Sequence, residues 1–140
     1  MTLGRAAASR PRRARFGSFR VWPAVLDAAL ILVIGSLPVA PPGTQRFSDK
    51  TLHCIAFGIL AWLACRAFRY FSPEAPARAL GLGFASSVAL GGALELWQAL
   101  LPYRSAELLD FVADAVGALI AVLIVAGVWQ FTRAKAPAAP

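Results

Sequence analysis

Residues 95–117 read ELWQALLPYRSAELLDFVADAVG, and the placement of their charges decides how the rest of the chain is to be read. Glu95 stands inside an apolar run, Pro102 and Arg104 interrupt it, and Asp110 and Asp114 fall near the start of the next run. In lipid, an ionisable group costs at least about 2.5 kcal/mol on insertion scales unless it faces protein or water. Three carboxylates so placed mark a polar site inside an otherwise apolar assembly.

Composition supports a membrane setting. Of 140 residues, 59% are hydrophobic and only 15% charged, with a mean hydropathy of +0.64. A soluble domain of this size carries about 25% charged residues. The apolar residues also fall in four blocks, at about 21–39, 49–71, 77–101 and 107–131, each close to the ~20 residues that cross a bilayer as a helix. The expected fold is all-α: a polytopic membrane protein, a four-transmembrane-helix bundle over residues 21–131. A disordered basic arm (1–20) and a disordered tail (132–140) are expected to flank it.

The first block contains Asp27 and ends Pro38-Val39-Ala40, a pattern also compatible with a cleavable signal. Asp27 interrupts the apolar region, Pro41 would follow the cut, and three more blocks come after, so an uncleaved first span is the better reading. Asp27 is expected near the cytoplasmic boundary, paired with a basic group or water. Cys54 and Cys65 are eleven residues apart on one helix, roughly 16 Å along its axis, beyond disulfide reach.

The net charge of +7 is unevenly distributed. Six basic residues precede the first block, with no aromatic interleaving or nucleic-acid-binding motif behind them, which argues against nucleic acid as a partner. Four crossings put both termini on one side. Eleven of the fourteen Lys and Arg residues lie on that side, and only Arg46, Lys50 and Arg104 on the other. The positive-inside rule then makes both termini cytoplasmic, in the cytoplasmic (inner) membrane.

Spacing indicates which faces meet. Gly83, Ser87, Gly91 and Glu95 recur every four residues, a seam of small side chains that lets another helix approach closely. Gln98 lies one turn further on. Glu107, Asp110 and Asp114 share a face of the fourth block, followed by Gly117, Ala118 and Ala121. In the second block, Ser48 or Asp49 is placed to cap the helix, and Asp49 and His53 stand one turn apart with Lys50 beside them. Antiparallel packing puts Glu95 and Asp114 each about 9 Å in from their helix ends, at one level, with His53 shallower and Arg104 in the loop above.

Two readings follow. In one, Lys50 and Arg104 neutralise the carboxylates while Gln98 and His53 complete a structural hydrogen-bond network. In the other, the residues form a pocket, with His53 and Glu95 as candidate catalytic groups and Asp49, Lys50, Gln98, Arg104, Asp110 and Asp114 as binding groups. The second is favoured. No metal-ligand motif is present, and Ser105 lacks a nucleophile elbow, so neither a metal nor another cofactor is expected.

The set Asp49-Lys50, His53, Phe57, Glu95, Gln98, Arg104, Asp110 and Gly117 resembles the VanZ-like family of small membrane proteins. The shared pattern, D-K-x-x-H-x-x-x-F…E-x-x-Q…R…D-x-x-x-N-x-x-G, covers roughly residues 45–121. Two positions depart from it: Asp114 stands at the family's usual Asn, and Cys54 stands where Phe is common. Asp114 is expected to donate a hydrogen bond much as that amide would. The resemblance implies a four-helix membrane protein of a family named for teicoplanin resistance, acting where glycopeptides meet cell-wall precursors.

The leading expectation is recognition or modification of a membrane lipid or lipid-linked cell-wall precursor at the outer face, with Lys50 and Arg104 meeting an anionic head group. Rivals are a membrane enzyme using His53 and Glu95 as acid and base, a proton- or ion-coupled carrier, which with so few helices implies a homo-oligomer, and a structural partner protein. The expected topology is directly testable. Alkaline phosphatase fused after Pro140 should be inactive, whereas an active fusion would reverse the orientation.

Overall fold

A computed structural model describes residues 13–38 and 48–135, with side chains from residue 19 onward. Those residues form four helices: α1 (Arg13–Gly35), α2 (Asp49–Phe71), α3 (Pro76–Gln98) and α4 (Leu108–Ala134). The fold is an all-α membrane bundle. By length and composition α2, α3 and α4 are each able to cross a membrane, and α1 is the fourth helix beside them.

Local chemistry sets the boundaries. Ser48 caps α2: its Oγ accepts the Thr51 N–H at 3.2 Å. Pro76 opens α3, where its missing N–H has no intrahelical partner to lose. The third helix stops at Gln98 rather than running to residue 101, because Pro102 disfavours helical geometry in the residue before it. α1 starts at Arg13, ahead of the apolar block. Residues 13–20 are therefore helical rather than a disordered arm, and the helix of α4 runs to Ala134, into the segment expected as tail. The remainder of the arm, the loop over 39–47 and the tail beyond 135 lie outside the described residues.

α2 is the central helix, packed against α4, α3 and α1, while α1 only touches α3. Ile31, Phe57, Leu60 and Leu94 form the apolar core between α1, α2 and α3. The outward faces are greasy, with Leu119, Ile120, Leu123 and Ile124 of α4 and Leu26 and Val33 of α1 exposed. Apolar patches of that extent belong against lipid.

Elsewhere the interior is made of small residues, as the four-residue seam indicated. Gly83, Ser87, Gly91 and Glu95 are all buried. A Cβ on Gly83 would strike Cys65 of α2, and one on Gly91 would come within 2.6 Å of Asp114 Oδ2 on α4. The tightest crossing is between α2 and α4, where a Cβ on Gly117 would overlap the Cys54 carbonyl oxygen. Gly58, one turn along α2, meets the Gly117 carbonyl across the same crossing. Backbone-to-backbone approach of this kind holds membrane helices together where lipid gives no hydrophobic drive.

Gly117→Ala must separate α2 from α4, and overpacking of this sort costs about 1–3 kcal/mol. Its thermal unfolding in detergent should fall clearly below wild type. Gly127→Ala, whose Cβ meets nothing within 4 Å, should leave unfolding unchanged or slightly improved. Equal behaviour of the two variants would show that the crossing is not close.

Candidate functional site

The start of α2, the end of α3 and the start of α4 lie at one end of the bundle, and their polar residues converge there. The innermost contact joins His53 Nδ1 to Asp114 Oδ1 at 2.8 Å. One proton lies between them, carried by Nδ1 when the carboxylate is charged and by Asp114 when Nδ1 offers its lone pair. Asp114 was expected to donate a hydrogen bond, and the His53 ring is the group it meets. His53 is held in place by stacking on Phe57, with centroids 6.3 Å apart, and Phe57 is itself almost fully buried. The other ring nitrogen, Nε2, stands 4.0 Å from Asp110 Oδ2.

Toward the end of the bundle, Lys50 Nζ lies 3.0 Å from Glu107 Oε2 and 3.2 Å from Asp110 Oδ1. It clamps α2 to the first turn of α4. Glu95, a candidate catalytic group, gives one oxygen to the fold: its Oε2 accepts the backbone N–H of Glu107 at 2.8 Å. Glu107 is the N-cap residue of α4 and offers no cap of its own, so a carboxylate from α3 serves the helix start. Negative charge is favoured there by the helix dipole. The second oxygen of Glu95, Oε1, is buried with no hydrogen-bond partner among the described residues, as is Oδ2 of Asp114.

Gln98 also looks outward from the carboxylate group. Its Nε2 donates to the Gly35 carbonyl at 3.0 Å, while Trp97 Nε1 and Tyr103 Oη donate to the Ser36 hydroxyl and carbonyl. These bonds fasten the end of α1 to α3 and the loop after it. That loop turns through Arg104 N–H to the Leu101 carbonyl at 3.2 Å.

The fastening leaves a cleft of ≈ 400 Å³ between α1 and α2. Its walls are apolar, including Leu30, Ile31, Ile34, Ile55 and Ile59, and Asp27, Asp49, His53 and Arg104 also line it. Arg104 makes no ion pair among the described residues, and its Nε is buried without a hydrogen-bond partner. Of the structural-network reading, the Lys50 pairs and the His53–Asp114 bond are present, whereas Arg104 neutralises none of the described carboxylates. Asp27 too departs from expectation: it faces the cleft, its Oδ2 has no partner, and no basic residue among those described pairs with it.

The structure thus gathers His53, Lys50, Asp110, Asp114 and Glu95 into one cluster. Asp49 and Arg104 sit on its cleft side, and Gln98 is directed toward α1. Two contributors were not singled out from the sequence. Glu107 was seen only as part of a polar face, and its backbone N–H, the one that Glu95 caps, carries no signal in the sequence. Ser36 carried no signal, since its role depends on how α1 docks. At the opposite end, Arg20, Arg66 and Arg69 lie over the rings of Tyr70, Trp62 and Trp129.

Together these features define a small helical membrane protein with a buried polar cluster and a lateral cleft at one end. A family model described as VanZ/LLP1 matches residues 10–130, nearly the whole described chain. The chain belongs to the VanZ/LLP1 family. The match takes in the first helix, which the sequence pattern alone left out. No curated protein and no solved structure matches the chain.

Proposed function

We propose that the protein recognises a membrane lipid or lipid-linked cell-envelope component carrying an anionic head group, at the outer face of the cytoplasmic membrane. The observation that carries this reading is Arg104: a guanidinium with no ion pair among the described residues, lining an apolar-walled cleft. An unpaired cation beside apolar walls matches an amphiphile with a phosphate or carboxylate at its head. Arg offers a planar fork of N–H donors to such a group, worth more than a neutral hydrogen bond. Lys50 has already spent its charge on Glu107 and Asp110, which leaves Arg104 as the anion contact. Asp27, facing the same cleft, supplies an acceptor for hydroxyl or amide donors on the ligand.

The orientation has its own support. Arg20, Arg66 and Arg69, seated on aromatic rings, lie at the end opposite the cluster, the arrangement of a cytoplasmic interface. The cleft then opens toward the outer leaflet, where cell-wall precursors are used. A role in tolerance of glycopeptide antibiotics is a property of the family, and lipid capture at this face accords with it.

The test is mass spectrometry of lipids retained by protein purified in mild detergent. A charge-assisted hydrogen bond is worth about 1.5–3 kcal/mol, about tenfold or more in occupancy. Wild type should retain an anionic lipid class that Arg104→Ala loses by about that factor, while Arg66→Ala, at the far end, keeps it. Equal lipid content in all three proteins would refute recognition through Arg104.

A further inference from the structure

Glu95 and Asp114 each present one oxygen that the protein leaves unused. Asp114 is 0% and Glu95 8% exposed, and neither Asp114 Oδ2 nor Glu95 Oε1 has a hydrogen-bond partner among the described residues. A buried carboxylate oxygen without a donor costs about 1–3 kcal/mol, and more when charged. Three carboxylates, Glu95, Asp110 and Asp114, are buried within this one cluster. Its single lysine is engaged by Asp110 and by the exposed Glu107, and Arg104 forms no ion pair with it. The inner pair, Glu95 and Asp114, therefore has only the His53 ring and, at Glu95 Oε2, the Glu107 N–H beside it. Buried charge left in that state is relieved by a proton or by a cation, and two unused oxygens facing an imidazole suit a cation.

We propose that His53, Glu95 and Asp114 bind one divalent metal ion. One ligand atom from each lies within 4.8 Å of the other two, close enough to converge on a single ion. Zinc sits about 2.0–2.1 Å from imidazole nitrogen and carboxylate oxygen in tetrahedral sites, so two such donors stand about 3.3 Å apart. His53 Nδ1 and Asp114 Oδ1, 2.8 Å apart across their hydrogen bond, would release that shared proton and open by about 0.5 Å to take the ion between them. The three donors also come pre-positioned. Phe57 holds the imidazole, Glu95 is anchored through its other oxygen on the Glu107 N–H, and Gly91 leaves room for the Asp114 carboxylate, where a Cβ would intrude. Asp110, 4.0 Å from His53 Nε2, is placed to steady the far side of the ring, as carboxylates behind metal-bound histidines do.

One nitrogen and two carboxylate oxygens make a borderline donor set, suited to Zn²⁺ or Mn²⁺ rather than to soft ions. Three protein ligands leave a coordination position open. His53 also lines the cleft, so a ligand there has access to that position. A second triad, Asp49, His53 and Asp110, also has donors within 4.8 Å, but Asp49 is exposed and Lys50 sits 3.2 Å from Asp110, where it opposes a second cation. The ion belongs to the inner triad. This holds whether or not the cleft takes a lipid.

The full chain in detergent, stripped with a chelator, should be titrated with Zn²⁺ and separately Mn²⁺ by calorimetry, and its metal counted after dialysis. Wild type should bind one Zn²⁺ or Mn²⁺ per chain. Asp114→Asn and Glu95→Gln, close in shape to the native residues, should weaken binding by about tenfold or more. Asp49→Asn and Glu107→Gln should stay within about threefold of wild type. Co²⁺ supplies a readout independent of affinity: its visible spectrum should change when His53→Gln removes the nitrogen donor. Stoichiometric binding lost equally in Asp49→Asn would place the ion in the outer triad and overturn the assignment. Wild type that binds neither Zn²⁺ nor Mn²⁺ above the level of its exposed carboxylates would overturn it outright.

Discussion

The structure turns on the absence of one side chain, at Gly117. With no Cβ there, the backbone of α4 lies against the Cys54 carbonyl of α2, closer than any other residue would allow. His53 precedes Cys54, and Asp114 lies three residues before Gly117, almost one turn along α4. The crossing therefore brings an imidazole and a carboxylate to 2.8 Å inside a membrane bundle. Without that proximity each group would be an isolated polar burden in an apolar interior. Gly91 does the matching service on α3, clearing space for the other face of Asp114.

Around this centre the charged residues divide into two populations. Lys50, Glu107 and Asp110 are spent on architecture, joining α2 to α4, and Glu95 gives one of its two oxygens to capping α4 from α3. Arg104 and Asp27 have no ion pair among the described residues and face the cleft between α1 and α2. A purely structural network would have used its cations on its anions. Here the guanidinium is withheld from a cluster rich in carboxylates, which separates the cleft, with its unpaired cation, from an inner group of carboxylates. Gln98, Trp97 and Tyr103 maintain the separation by fixing the end of α1.

Much of this was legible in the sequence, for physical reasons that can be named. A helix rises a fixed ~1.5 Å per residue, so Glu95 and Asp114 could be placed at one depth before any packing was known. The spacing of Gly83, Ser87 and Gly91 fixed which face of α3 turns inward, because small residues at that interval serve close approach. What remained hidden depends on helix rotation and on loops. Asp27 lies on a helix whose rotation is set only by docking on α2, so its cleft-facing position left no trace in spacing. Arg104 sits in a loop, where helical spacing cannot say whether its guanidinium turns toward the carboxylates or toward the cleft. The helical residues 13–20 were missed because hydropathy marks where lipid begins, whereas backbone propensity marks where a helix begins.

The central claim is that α2 and α4 hold His53 and Asp114 in direct contact. A double-mutant cycle measures it: His53→Ala, Asp114→Ala and the double variant, each unfolded reversibly in mixed detergent. Residues in contact show coupling of about 0.5–3 kcal/mol, whereas independent sites add to within about 0.5 kcal/mol. The structure predicts a coupling of about 1 kcal/mol or more, with the double variant less damaged than the sum of the single ones. Strict additivity would mean that the two side chains do not meet, and the site built around them would have to be abandoned.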